Sequence, residues 1–136
     1  MKNLAVIVFS LLLLSACQQN MVANEKTADS VIGKWRVYET VEFQNNDDSA
    51  AVKCSNCAEI EFSKNYTGFV KSQDAGVYYF KWKIDNDELI IHHENNNQPD
   101  SILNNGNYKL ILFNNIPIKE MSLTDTVKNI KYILSK

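Results

Sequence analysis

Two cysteines separated by two residues are the side chains of this sequence best suited to chemistry. Cys54 and Cys57 enclose a serine and an asparagine in a polar stretch of the chain. Such a pair can form a local disulfide, act as a redox-active dithiol, or supply half of a tetrahedral zinc site. A redox pair normally lies at the N-terminus of a helix, and a zinc ion needs two further ligands. We therefore expect a disulfide, with the redox and metal roles as alternatives.

The two histidines do not complete a zinc site with these cysteines. His92 and His93 are adjacent in a segment that is predicted to be a strand, so their side chains point to opposite faces. His93 has the same parity as Leu89 and Ile91, which predicts an inward-facing, hydrogen-bonded structural residue. The sequence thus predicts no metal site.

One carboxylate falls on an apolar face. Glu39 alternates with Val37 and Val41 on the predicted Trp35 face of the first strand. An ionised carboxylate is costly there unless it is paired or hydrated. We expect Glu39 to lie near an open mouth, to pair with a lysine, or to supply the polar contact for a ligand.

Enzyme motifs are absent from the sequence. It contains no nucleophile elbow with a serine, histidine and acid arrangement and no glycine-rich phosphate loop. We expect no catalytic residue and no cofactor, with thiol exchange by the cysteine pair as the remaining enzymatic alternative. The 14 basic and 16 acidic residues are spread along the chain, a balance that argues against nucleic acid as a partner.

The N-terminus predicts an export signal that ends in a cysteine. Lys2 precedes the apolar run 4–14, and Ser15-Ala16 leads into Cys17. The run is shorter than the roughly 20 residues that span a bilayer. The segment resembles a bacterial lipoprotein signal, which implies cleavage before Cys17 and a lipid on its thiol. We divide the chain into a signal peptide ending in the lipidated cysteine (1–17), a polar tether (18–31) and a globular domain (32–136).

The same resemblance implies a place in the cell. Two or more acyl chains anchor a protein stably. Gln18 is not the aspartate that retains many such lipoproteins at the inner membrane, so the outer membrane of the cell envelope is favoured. Thiols tend to oxidise outside the cytosol, which supports the disulfide. We expect a monomer held by its lipid anchor.

From residue 32 onward the apolar residues recur at every second position. Short runs are separated by Asn, Asp and Gly, which is typical of half-buried strands joined by turns. In the first strand, Trp35, Val37, Val41 and Phe43 are predicted to face inward. Eight strands are predicted, at 34–43, 58–63, 66–72, 77–84, 88–94, 108–113, 118–124 and 129–134.

Eight short antiparallel strands joined mostly by tight turns must expose two sheet edges or close on themselves. Closure removes both edges. We therefore predict an all-β, eight-stranded, antiparallel up-and-down barrel. A barrel of this size is filled by side chains or holds one small ligand.

Gly33-Lys34-Trp35 at the start of the first strand, followed by seven further strands, resembles the opening of the lipocalins and of small bacterial lipocalin-like lipoproteins. The resemblance implies that Trp35 closes the bottom of the barrel and that a late arginine covers it. Arg36 is the only arginine in this chain, so a lysine such as Lys131 is expected to substitute.

Two functions follow from these predictions. In the first, the barrel binds a small apolar ligand through inward residues. In the second, the same side chains fill the barrel, and the surface contacts an envelope protein partner. The predicted ligand-binding residues are Trp35, Val37, Glu39, Phe62, Phe80, Trp82 and Tyr108.

Overall fold

The computed structural model describes residues 27–43, 49–72, 76–94, 102–114 and 118–136. The predicted signal peptide, Cys17 and residues 18–26 of the predicted tether lie outside these ranges. Among the described residues, no helix has the length and apolar character needed to cross a bilayer.

Eight strands form one closed antiparallel barrel. Each strand pairs with the next in sequence, and the last pairs with the first. The predicted all-β, up-and-down barrel is therefore confirmed. The strands are β1 (Gly33–Phe43), β2 (Ser49–Phe62), β3 (Thr67–Ser72), β4 (Val77–Asp85), β5 (Glu88–His93), β6 (Gly106–Asn114), β7 (Lys119–Asp125) and β8 (Ile130–Ser135).

Most predicted strand bounds agree with the structure to within two residues, and β2 is the main exception. It begins at Ser49, nine residues before the predicted start at residue 58. The sequence of this extension mixes small, apolar and polar residues without alternation, so no period-2 signal marks it. As a consequence, Cys54 and Cys57 lie within β2 and not in the connection that precedes it.

A β-bulge in β1 changes the direction of its side chains. Val37 pairs with Leu134 of β8, but Glu39 pairs with Ile133, so Tyr38 is an extra residue. A bulge of this kind reverses the inside and outside faces of the residues that follow. Thr40, opposite the buried Tyr132, now has the inward parity.

The bulge makes three predicted orientations wrong. Glu39 shares the outer face with Ile133, and Val41 lies opposite Lys131 on that face. Phe43, predicted to be inward, is 46% exposed. Simple alternation from Trp35 predicts these faces correctly only as far as Val37.

The alternation in β4 is confirmed over its whole length. Phe80 and Trp82 are buried, Tyr78 and Ile84 are half-buried, and the intervening residues face solvent. Asn86, at a φ of 56°, forms a two-residue turn into β5, as the Asp-Asn-Asp run of the sequence predicts.

The packed domain begins before the first strand. Residues 27–31, assigned to the tether by the sequence argument, form a helical turn. Ala28 and Val31 of this turn are buried in the barrel core. The Trp35 indole Nε1 donates a hydrogen bond of 2.6 Å to the Val31 carbonyl. This turn therefore belongs to the domain and covers one end of the barrel, which we call the closed end.

The absence of a side chain at Gly68 has a specific reason. Gly68 lies opposite both Phe62 and Phe80 on the inner face. A Cβ at this position would meet the backbone carbonyl of Glu61 and the ring of Phe80, the latter at 2.6 Å. The Phe80 ring thus takes the space over β3 that a larger residue would occupy.

Gly68→Ala is expected to destabilise the protein by about 1–3 kcal/mol, because the added methyl group meets backbone as well as a packed ring. Urea unfolding followed by tryptophan fluorescence measures the change. Lys71→Ala, on the exposed outer face of the same strand, is the control and should change the free energy of unfolding by less than about 0.5 kcal/mol. Equal stabilities of the Gly68→Ala protein and the wild type would show that the barrel wall can move to accept the methyl group.

Candidate ligand site inside the barrel

The structure places six of the seven predicted ligand-binding residues inside the barrel. Each of the six has at most 3% of its surface exposed. Glu39 lies outside, because of the bulge in β1, and so it is not positioned to contact a ligand in the interior. The six inward residues are Trp35, Val37, Phe62, Phe80, Trp82 and Tyr108.

Aromatic rings pack against one another across the interior. The Phe62 ring lies 5.5 Å from the ring centroids of both Phe80 and Trp82, in edge-to-face geometry. Phe80 in turn contacts the imidazole of His93 at 5.6 Å. Pairs of this geometry are favourable beyond the area that they bury. This aromatic cluster fills the part of the barrel between β2, β4 and β5 with side chains.

Lys136 covers the tryptophan at the closed end. Its ammonium group lies 5.0 Å from the centroid of the Trp35 ring and donates a hydrogen bond to the Ile32 carbonyl. Burial lowers the pKa of Lys136, and the positive charge of Lys119 adds to this effect. The predicted substitute, Lys131, lies on the outer face of β8 opposite Val41. The expected cation over Trp35 is thus present, but it is a different lysine.

Residues 102–105 lie over the opposite end of the barrel. Leu103 is fully buried in a left-handed conformation with a φ of 50°, and Ile102 is 5% exposed. The Tyr108 hydroxyl donates a hydrogen bond of 2.8 Å to the Asn104 carbonyl. The Asn105 side chain accepts a hydrogen bond from the backbone amide of His93. These contacts tie the segment to β5 and β6.

His93 links the aromatic cluster to residues 102–105. As predicted, His93 faces inward and forms a hydrogen bond, and only 1% of its surface is exposed. Nε2 lies 2.7 Å from the Leu103 carbonyl, so this nitrogen carries the proton of the neutral ring. Nδ1 is buried and has no hydrogen-bond partner among the described residues.

The titration of His93 reflects its burial. Burial lowers the pKa of His93 below its usual value, while the carbonyls of Leu103 and Tyr79 partly oppose this effect. The ring is therefore neutral near pH 7, and Nδ1 is available as a hydrogen-bond acceptor. Such an acceptor can receive a hydrogen bond from a hydroxyl or amide of a bound molecule.

Two tyrosines and an aspartate complete this polar end of the interior. Burial raises the pKa of Tyr132 to about 12, and Asp125 adds to the effect. Burial likewise raises the pKa of Tyr108 well above its usual range, with contributions from Tyr132 and Asp125. Asp125 Oδ1 accepts hydrogen bonds of 3.0 Å from the amides of Val127 and Lys128. Both phenols therefore stay protonated and can donate hydrogen bonds.

The predicted disulfide between Cys54 and Cys57 is present, with a Cα–Cα distance of 5.5 Å. Val37 of β1 pairs with Ala58, and Glu39 pairs with Lys53, so residues 54–57 form a four-residue bulge opposite Tyr38 alone. The disulfide joins the two ends of this bulge. Within the described ranges, no group of three or more His, Cys, Asp or Glu side chains could hold a metal ion.

Three residues of this site were not predicted from the sequence. Ser72 has the inward parity of its partner Ala58, and its buried Oγ has no hydrogen-bond partner in the described part of the chain. Asp125 and Leu103 are the other two. Asp125 has an available signal, since an Asp that precedes a turn often accepts backbone amides. No sequence signal marks Leu103, because its contacts depend on how residues 102–105 cross the end of the barrel.

The chain has no match among protein-family models and none among curated proteins. Two solved structures resemble it. An uncharacterized protein from Bacteroides eggerthii aligns with a TM-score of 0.55 and 18% identity, over 78% of this chain and 98% of that one. A lipocalin-like protein from Bacteroides uniformis aligns with a TM-score of 0.54 and 15% identity, over 79% and 98%. The fold is lipocalin-like. The closed order of strands and the covered Trp35 of this lipocalin-like barrel agree with the similarity.

Replacing His93 should change the pH dependence of stability. Because the pKa of His93 is lowered in the folded state, the unfolded chain takes up a proton that the folded chain does not, and stability falls as the pH drops below about 6.5. His93→Gln keeps a donor for the Leu103 carbonyl without this titration, so its loss of stability between pH 7.5 and pH 5 should be smaller. Urea unfolding across this range measures the slope.

His92→Gln is the matched control, because His92 is the exposed neighbour on the outer face of β5. Its slope should stay closer to that of the wild-type protein than the slope of His93→Gln does, because burial, and not the charge of His92, is the main cause of the lowered pKa of His93. Equal slopes for all three proteins would contradict the assignment of His93 as a buried, neutral ring.

Proposed function

We propose that this chain is a lipid-anchored bacterial envelope lipoprotein whose lipocalin-like barrel binds a small, largely apolar ligand carrying a polar group. The ligand lies toward the end of the barrel where His93 and Tyr108 are found. The lipid on Cys17 holds the domain at the membrane, with the outer membrane as the favoured site.

The binding proposal rests on two buried, inward-facing polar atoms without partners, whereas the third such atom in the described ranges, Ser122 Oγ, belongs to a residue with outward parity. His93 Nδ1 and Ser72 Oγ both belong to inward-facing residues, and neither has a hydrogen-bond partner among the described residues. Leaving such a group unsatisfied costs about 1–3 kcal/mol. A few polar groups in an otherwise apolar interior are also how small-molecule sites orient a ligand. A bound molecule with a hydroxyl or amide group would satisfy them.

The aromatic cluster supports a second function. Because the Phe62 ring contacts both Phe80 and Trp82, side chains fill this part of the barrel and leave little room for a ligand. If the rest of the interior is filled in the same way, the domain acts through its surface on an envelope protein. The two functions can be distinguished experimentally, because only the binding function predicts that the purified protein carries a small molecule.

The anchor proposal rests on the sequence of the N-terminus. Lys2, the apolar run and Ser15-Ala16 lead directly to Cys17. The helical turn of residues 27–31 lies at the closed end, so the chain enters the domain beside Trp35. In a lipid-anchored protein, the closed end therefore lies at the tether side of the barrel, and residues 102–105 lie at the other side.

Native mass spectrometry of the full chain, purified from its host membrane in mild detergent, tests the binding function. A small molecule should be released when the protein is unfolded. His93→Phe should lower its occupancy at least about tenfold, the effect of losing a hydrogen bond to a buried group. Circular dichroism shows whether this variant is folded.

The control for this experiment is His92→Gln, which changes the outward neighbour and should keep full occupancy. A wild-type protein that carries no small molecule before unfolding would contradict the binding function and favour the filled barrel. A ligand that is retained equally by the folded His93→Phe protein would place the binding site elsewhere in the barrel.

Cys17→Ser should abolish lipid attachment. The variant should incorporate no radiolabelled palmitate and should leave the membrane fraction, because the thiol that accepts the lipid is absent. Cell fractionation with a blot of the membrane pellet measures the change. The double variant Cys54→Ser, Cys57→Ser should stay in the membrane and keep the label. Palmitate labelling of Cys17→Ser equal to that of the wild type would rule out anchoring through this residue.

A further inference from the structure

A cleft of about 300 Å³ opens on the outside of the barrel at its closed end. It crosses the outer face of β8, β1 and β2, where Arg36 lies opposite Glu59 on one side and Ser135 on the other. This volume is about ten times the volume that one water molecule occupies in liquid water, which is about 30 Å³. Its lining residues are Lys34, Trp35, Arg36, Glu59, Ser135 and Lys136.

Positive side chains predominate in this cleft. Lys34, Arg36 and Lys136 line it, against the single carboxylate of Glu59. Lys119 lies close enough to Lys136 to contribute to the lowering of its pKa, and its carbonyl accepts a hydrogen bond from the Lys136 amide. An anion in the cleft would reduce the repulsion between these charges.

The cations are held by different contacts. Lys34 lies 3.7 Å from Glu61 and is largely exposed. Lys136 is held over the Trp35 ring by its contacts with the ring and the Ile32 carbonyl. Arg36 and Glu59 are direct cross-strand neighbours, yet within the described ranges neither forms an ion pair. The guanidinium group of Arg36 thus keeps its donor fork for another acceptor.

From this arrangement we propose that the cleft is a binding site for a phosphate group. The Arg36 guanidinium binds two oxygens of the phosphate, as this planar group does with oxyanions. Lys34 and Lys136 add positive charge, and the Ser135 side chain lies on the same face. The side chains of the lining carry three positive charges and one negative charge, and Glu61 pairs with Lys34, so the group keeps a net positive charge that attracts an anion.

The cleft lies at the end of the barrel where the described chain begins, beside residues 27–33. The phosphate can therefore come from a lipid headgroup or from a soluble phosphate compound. The lipid source rests on the membrane anchor that is proposed above, whereas the site itself does not. Because the volume of the cleft, about 300 Å³, exceeds that of one phosphate ion, it leaves room for a glycerol or sugar unit attached to the phosphate.

The two tryptophans of the chain provide the readout. Both tryptophans are buried, but Trp35 also lines the cleft, whereas Trp82 does not and donates its indole N–H to the Thr67 carbonyl. In a ¹⁵N-labelled full chain, kept in a maltoside detergent without phosphate, each indole gives one NMR signal. The titrants are inorganic phosphate and glycerol 3-phosphate, with sodium chloride at the same ionic strength as the control.

Phosphate compounds should shift the Trp35 signal saturably, with a dissociation constant of about 1 mM or lower, and leave the Trp82 signal in place. Arg36→Gln should weaken binding at least about tenfold. Lys83→Gln, which removes an exposed cation from the outer face of β4, should bind like the wild type. Unchanged Trp82 signals show that both variants are folded.

Tighter binding of glycerol 3-phosphate than of inorganic phosphate would support the site and point to a lipid headgroup. Equal binding would support the site and point to a soluble phosphate compound. The proposal is overturned if Trp35 does not shift saturably, if sodium chloride causes the same shift, or if Arg36→Gln binds as tightly as the wild type. None of these results affects the ligand inside the barrel, which is detected by mass in a separate experiment.

Discussion

The pairing of β8 with β1 is the interaction on which the rest of this structure depends. It closes the barrel and removes both sheet edges. It also sets the bulge at Tyr38, because β1 must match two neighbours at once and has one residue more than β8 at this point. Closure places β8 beside β1, so that Lys136, which follows β8, reaches the ring of Trp35. The cleft at the closed end exists only because these two strands are adjacent.

Inside the closed barrel, the packing differs between the two ends. At the closed end, Val31 and Trp35 are joined by a hydrogen bond, and the aromatic cluster begins above them. Burial of each large apolar side chain contributes about 1.5–3 kcal/mol to the free energy of unfolding, so this region is a substantial source of stability. At the opposite end, His93 and Tyr108 bond to the backbone of residues 102–105. Polar groups in an apolar interior favour one orientation of a bound ligand. We therefore place the ligand at this end of the barrel.

The period-2 pattern was sufficient to predict the architecture. In β4, apolar and polar residues alternate without interruption, and the structure confirms the face of each. Turn residues such as Asn86, which adopts a positive φ, marked the hairpins. The count of eight strands and their short connections then predicted closure, because an open sheet would leave two edges unpaired. The inward position of His93 followed from the same alternation.

The sequence by itself determined the strand order, the closed barrel, the disulfide and most of the inner face, since these depend on local alternation and on spacing along the chain. Only the tertiary structure decided the faces of Glu39 and Phe43, because the bulge depends on the register with two other strands. The same is true of the lysine that covers Trp35 and of the burial of Val31. Such contacts join residues far apart in the chain or outside any repeating pattern, and their geometry arises only when the barrel closes.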